Sequence, residues 1–235
     1  MGRPNIALHP TPPDHERPRV SAHVRHTAMK LTASKDPDEY FRQTEHAVKH
    51  AYAGLDSCWK YYQDALQHWD ISQVGQPMTA ERKAALDRYL ELAGMYFNLK
   101  FSEAMFAGAI LQVAHMGIRI YSRNTSIAPN CSGFVKPSQN SAIPFCIGEE
   151  RHGIPTGLIV YAARNQYNHW DEQPHEVTRK VFDALSAACY HNMLSDLLFE
   201  LSNPTINVYA NEVLLVALGW RSYETYLAEM KALLS

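Results

Sequence analysis

Hydrophobic positions recur at helical spacings over most of this chain. Phe41, Val48, Tyr52, Leu55, Trp59, Tyr62 and Leu66 follow one another at intervals of three, four and seven, which gathers them on one helix face. The helix is expected to start at Asp36-Pro37-Asp38-Glu39. There Asp36 caps the free amides, Pro37 suits the first turn and Glu39 completes a capping-box-like pattern. It should end near Asp70, before Gly75 and Pro77. A second pattern starts behind Thr79, a cap with Glu81 in the first turn, and runs through Leu86, Leu90, Phe97, Phe106, Ile110, Val113 and Ile120. Its later half is apolar nearly all round, as suits the centre of a bundle, and Gly94 and Gly108 are the places where it could bend.

The periodicity then stops. Residues 124–156 hold Pro129, Gly133, Pro137, Pro144, Gly148, Gly153 and Pro155. A loop of that length is uncommon and often functional, and a lid over a site is one expectation for it. A third helix should begin after Pro155-Thr156, and a fourth should run over 175–201 with Val177, Val181, Leu185, Leu194, Leu197 and Leu198 on its apolar side. Two shorter helices are expected over 206–218 and 222–234, with Gly219 as a stop and Ser222 as a cap. No strand alternation and no internal repeat stand out. The fold class is therefore read as all-α: a bundle of four main helices with a long loop insertion and extra C-terminal helices. Residues 1–34, with Pro4, Pro10, Pro12, Pro13 and Pro18 and little periodicity, read as a flexible tail ahead of a single helical domain over 35–235.

Composition narrows the function. The chain has 235 residues, 46% hydrophobic, ample for a packed core. A net charge of −2 gives no global basic field, so any nucleic-acid site must be local. The four cysteines, Cys58, Cys131, Cys146 and Cys189, form no Cys-x-x-Cys, which argues against a zinc ribbon or redox pair. With no signal peptide, this usage points to a reducing cytoplasm. The most apolar stretch, 104–120, is broken by Gln112, His115 and Arg119 and reads as too short and polar to cross a bilayer. No Walker, dinucleotide-binding or nucleophile-elbow motif occurs, and no metal or cofactor is expected.

The remaining chemistry centres on Arg164-Asn165-Gln166-Tyr167-Asn168-His169. An arginine is a permanent cation that can hold phosphate, and a histidine moves protons near neutral pH. Together they suffice to cut RNA without a metal, because RNA carries its own nucleophile, the 2′-hydroxyl. Spacing alone is weak: 13 Arg and 12 His give about one Arg-x4-His by chance, and the plainer reading is an Arg and a His that cap a helix or pair with Asp171 and Glu172. The other pairs with four to six intervening residues, Arg3/His9, Arg17/His23 and Arg19/His26, all fall in the Pro-rich tail. Residues five apart on an ideal helix differ by roughly 140° about its axis. Arg164 and His169 therefore share no face of a straight helix, whereas Asn165 and His169 do. Either the helix breaks before His169, or a second copy completes the site.

The run 157–169, with Arg164, Asn165 and His169 on the third of four core helices, resembles the signature of the HEPN superfamily, and the likeness in plan covers residues 37–202. The resemblance implies a metal-independent endoribonuclease. His169 would be general acid or base, Arg164 would stabilise the charge developing on phosphoryl oxygens, and Asn165 would orient His169 or bind phosphate. It further implies RNA as partner, a symmetric homodimer that brings two motifs into one cleft, and a toxin or phage-defence setting with an antitoxin or regulatory protein. HEPN-like domains also include non-catalytic RNA- or protein-binding modules, the alternative kept open here. A polar residue on the second helix often faces the cleft in that superfamily, which makes Glu103 a substrate-binding candidate. Tyr167 and Trp170 are candidates for stacking on bases, although aromatics at helical spacing are more often core.

The other candidates have blander readings. His46 and His50 have metal-ligand spacing but no third ligand, and read as solvated histidines. Cys131 and Cys146 read as free thiols rather than nucleophiles. Arg119, Arg123, Lys136 and Arg151 flank the long loop as a candidate phosphate rim, though charge clusters are usually solvated surface.

Overall fold

A computed structural model of the protein describes residues 36–69, 75–190 and 199–202, and then 209–235. The tail expected over 1–34 lies outside them, as do Leu194, Leu197 and Leu198. The described chain is largely helical. Helix α1 spans Pro37–His68, α2 Ala80–Asn98, α3 Lys100–Tyr121, α4 Thr156–Asn168 and α5 Glu176–Tyr190. A short helix α6, Ala210–Glu212, continues as a π turn over Val213–Ala217, and α7 spans Tyr223–Leu234. The local stop and start signals act as expected. Asp36 accepts from the Asp38 amide at 2.9 Å, Thr79 caps α2 through the Arg82 amide, and Ser222 caps α7 through the Thr225 amide. Gly219 ends the π turn with φ +68°, a conformation that costs glycine nothing. Glu39 departs from the capping-box reading, since its carboxylate accepts from Gln43 and pairs with Arg42 one turn on.

The second helical pattern is two helices. The break falls at Leu99, whose backbone (φ −93°, ψ −2°) caps α2 and opens α3, and not at Gly94 or Gly108. α2 packs chiefly on the second half of α1 and buries a single side chain, Leu92. Among the described residues no element covers the outer side of this pair, and Tyr62, Leu66, Leu90 and Phe97 are exposed, as is Ile120 at the end of α3. All five were expected on buried faces. Helical spacing tells which residues share a side, and only the tertiary arrangement decides whether that side is covered.

α3 is the central element and packs against α1, α4, α6 and α7. By length and apolar composition alone it would suit a bilayer, in contrast to the reading of 104–120. One side of it is taken up inside the bundle, where Ala107, Ile110, Leu111, Ala114 and Ile118 are fully buried with Val48 and Leu55 of α1 and Leu158, Ile159 and Val160 of α4, while Phe101, Met105, Met116 and Ile120 on the same helix are exposed. Each large aliphatic side chain so buried contributes about 1.5–3 kcal/mol. The close approach of α3 to α4 depends on Gly108. A Cβ there would meet the Tyr167 ring at 2.4 Å, so the ring lies flat against bare backbone.

The long loop is a packed cap. Two 3₁₀ turns, Pro129–Cys131 and Ile143–Phe145, and a two-residue antiparallel pair, β1 Glu150–Arg151 with β2 Ile154–Pro155, organise it. His152 and Gly153, both at positive φ, make the tight turn between them. Cys131, Val135, Ala142, Phe145, Cys146 and Ile154 are buried, and Ser122 and Asn124 tie the loop's start to the carbonyls of Pro144 and Ile143. The loop is anchored by buried residues of its own, an arrangement unlike the open, mobile lid expected of it.

Candidate functional site

α4 carries the motif and is fixed at both ends. At its start, Thr156 donates through Oγ1 to the Glu149 carbonyl at 2.8 Å, and the Gly157 amide donates to Ile147. At its end the helix stops at Asn168. His169 is the C-cap, leaving helical geometry (φ −129°, ψ 37°) while its amide still donates to the Asn165 carbonyl at 3.0 Å. Of the two resolutions of the i, i+5 problem, the helix break is therefore present within one chain.

The break does not bring Arg164 and His169 together. Arg164 faces α3, where its Nε donates to Gln112 Oε1 at 2.9 Å and a terminal nitrogen donates to Asn165 Oδ1 at 3.2 Å. With the Asn168 amide turned to suit its neighbours, that oxygen accepts from Arg164 at 2.9 and 3.1 Å. Three amides thus hold the guanidinium. Nearby on α3, His115 stacks on Phe145 with ring centroids 4.6 Å apart. Burial, reinforced by the charges of Arg164 and Arg119, pushes the His115 pKa down to about 4, so this ring is neutral at neutral pH.

His169 faces the other way, into a cavity of about 70 Å³ between the end of α4, the 169–175 turn and the start of α5. That is room for a few waters or one phosphate-sized group. Asn165, His169, Trp170, Glu172, His175 and Thr178 all line it. The His169 and His175 rings stand edge to face with centroids 6.2 Å apart. Glu172 Oε1 lies 3.1 Å from His169 Nδ1, yet the direction is poor and that nitrogen makes no hydrogen bond. Thr178 is 1% exposed and its Oγ1 has no partner among the described residues either. Two residues that line this small cavity, His169 and Thr178, thus each carry a buried polar atom unpaired among the described residues, and buried polar groups are normally satisfied. Asn165 joins the two halves, since it borders the cavity and accepts from Arg164.

The other candidates fall elsewhere. Glu103 is 1% exposed and lies away from the cavity. Its carboxylate accepts from Trp59 Nε1 and from Tyr96, and pairs with Lys100 at 2.8 Å, tying α1 to the α2–α3 junction. Tyr167 packs on Gly108 and helps line a shallow groove with Phe101, Met105 and Trp170. Trp170 is 51% exposed and borders both the groove and the cavity, the better placed of the two aromatics for stacking. Most of the proposed phosphate rim is engaged internally. Arg119 donates to the Ser141 carbonyl, Lys136 pairs with Glu176, and Arg151 pairs with Glu229. The carboxyl of Glu176 is held below its usual range chiefly by its hydrogen bond to Lys136. His46 and His50 stack on each other on the surface, and no three-residue metal-ligand cluster occurs among the described residues. Burial raises the Cys131 thiol pKa and pushes that of Cys146 up to about 12, the opposite of an activated nucleophile.

Sequence reasoning missed His175, Thr178 and Gln112. His175 and Thr178 belong to the next helix, so only the turn at 169–175 brings them to His169, and Gln112 is 52 residues from Arg164. The nearest available signal was the short Pro174-His175 step before the α5 pattern. Comparisons with family models, with curated proteins and with solved structures give no match to this chain.

Proposed function

We propose that the protein is a metal-independent endoribonuclease of HEPN type, acting in the cytoplasm through Arg164, Asn165 and His169. The observation that carries the reading is the cavity at the end of α4. It holds an imidazole for proton transfer, is lined by two residues with a buried polar atom unpaired among the described residues, and connects through Asn165 to a guanidinium. With Glu172 beside Nδ1, Nε2 of His169 is the nitrogen left to take the ribose 2′-hydroxyl proton. The 2′-oxygen attacks the adjacent phosphorus and the 5′-oxygen leaves, giving a 2′,3′-cyclic phosphate and a 5′-hydroxyl. General acid–base help of this kind contributes about 10²–10⁴-fold.

Arg164 is not among the residues that line the cavity and meets it through Asn165. This supports a composite site in which a symmetric homodimer brings the Arg164 of one chain toward the His169 of the other. The exposed side chains Phe101, Met105 and Trp170, beside the motif helix, offer such a dimer an apolar contact. A growth-arrest or phage-defence setting with an antitoxin or regulator belongs to the same proposal. End-group analysis of cleaved RNA tests it, since products with 3′-hydroxyl and 5′-phosphate ends would rule out attack by the 2′-oxygen.

The same exposed strip favours a second reading, a non-catalytic RNA- or protein-binding module. RNA or partner binding without cleavage, unchanged in His169→Ala, would select it.

A further inference from the structure

The start of α5 has features that the motif leaves unused. By helix geometry the first amides of α5 have no partner inside the helix, and its dipole favours an anion there. Thr178, whose buried hydroxyl is unpaired among the described residues, belongs to this first turn and lines the cavity. His175 precedes the turn and stands across the cavity from His169, too far for a direct hydrogen bond between the rings and close enough for one phosphate group to touch both. Glu172 is the carboxylate lining the cavity, 61% exposed and beside His169, so solvent and the imidazole moderate its repulsion of an anion. The carboxylate of Glu176 is engaged by Lys136 and Lys180.

We infer that the α5 N-terminus holds the scissile phosphate, with Thr178 Oγ1 donating to a non-bridging oxygen and His175 acting as the general acid opposite His169. This rests on the endoribonuclease reading and adds to it a catalytic residue outside the Arg-x4-His motif. The step balances. His169 takes the 2′-hydroxyl proton, the 2′-oxygen–phosphorus bond forms, the phosphorus–5′-oxygen bond breaks, and the proton on the His175 imidazolium passes to the departing 5′-oxygen. Two histidines thus take opposite roles around one phosphodiester, and the step needs no external oxidant or reductant.

A substrate whose leaving group needs no proton separates the roles. Wild type, His175→Ala and His169→Ala are each assayed on a short RNA and on the same RNA with sulfur in place of the bridging 5′-oxygen at one linkage. His175→Ala is expected to slow ordinary RNA by about 10²–10⁴-fold and the thio-linkage by less than about tenfold. His169→Ala is expected to slow both by comparable factors. The ratio of the two rates within one preparation is independent of the folded fraction, so a partly unfolded variant still reports. If wild type cleaves RNA and His175→Ala leaves that ratio unchanged, His175 is not the acid, although the nuclease reading stands. If wild type cleaves neither substrate, the nuclease reading fails and this inference with it.

Discussion

Replacing Thr178 by valine should stabilise the fold while weakening the site. The two side chains have nearly the same volume and branching, so packing changes little and the main difference is the hydroxyl. At 1% exposure, that hydroxyl has no protein partner for Oγ1 among the described residues. Burying an unpaired hydroxyl costs about 1–3 kcal/mol. A water in the cavity would recover part of this, so the expected gain for Thr178→Val is about 1–2 kcal/mol. For a chain of this size that raises Tm by about 2–8 °C. The protein supplies its own control. Thr156 is equally buried, but its Oγ1 donates to the Glu149 carbonyl at 2.8 Å. Thr156→Val should therefore cost about 0.5–1.5 kcal/mol. Urea unfolding with unchanged m-values compares the two substitutions. If Thr178→Val destabilises as Thr156→Val does, the hydroxyl is satisfied within the folded protein and is not held for an anion at the start of α5.

Three further outcomes follow from the same geometry. His115 is depressed in the folded state, so its contribution to stability is fully present above its unfolded pKa near 6.5 and is lost as pH falls toward about 4; a loss of about 2 kcal/mol over that window is expected, and His115→Phe should flatten it in pH-dependent urea melts. Glu103→Ala should cost about 2–3 kcal/mol, because it strands Trp59 Nε1 as well as removing the Lys100 pair, while Glu103→Gln keeps an acceptor and should cost less than half as much in the same melts. Light scattering at micromolar concentration should give a dimer mass, and mixing Arg164→Ala with His169→Ala protein should give activity that departs from that of two independent sites; a monomer with full activity would defeat the composite-site argument.

The parts of this fold legible in the sequence are those decided within a few residues. Asp36, Thr79, Ser222 and Gly219 mark helix ends because capping and positive φ are local matters. The break at Leu99 was hidden because the apolar pattern and helix propensity run through it without a glycine or proline. Exposure at Leu90 and Phe97 was hidden because periodicity is silent about which helix arrives to cover a face. The same division holds at the site. Asn165 and His169 sharing a side, and Arg164 pointing elsewhere, could be read from helix geometry alone. The amide of Gln112, the neighbouring His115 and the opposing His175 could not, since each reaches the motif through tertiary packing.

The central claim is that His169 and Arg164 cut RNA without a metal. The direct measurement is cleavage of a mixed-sequence RNA by purified protein in excess EDTA, with His169→Ala and Arg164→Ala prepared alongside. The account predicts cleavage by wild type that ends in 2′,3′-cyclic phosphates and falls by about 10²-fold or more in each variant. Cleavage that persists undiminished in both variants, or none by folded wild-type protein, would contradict it.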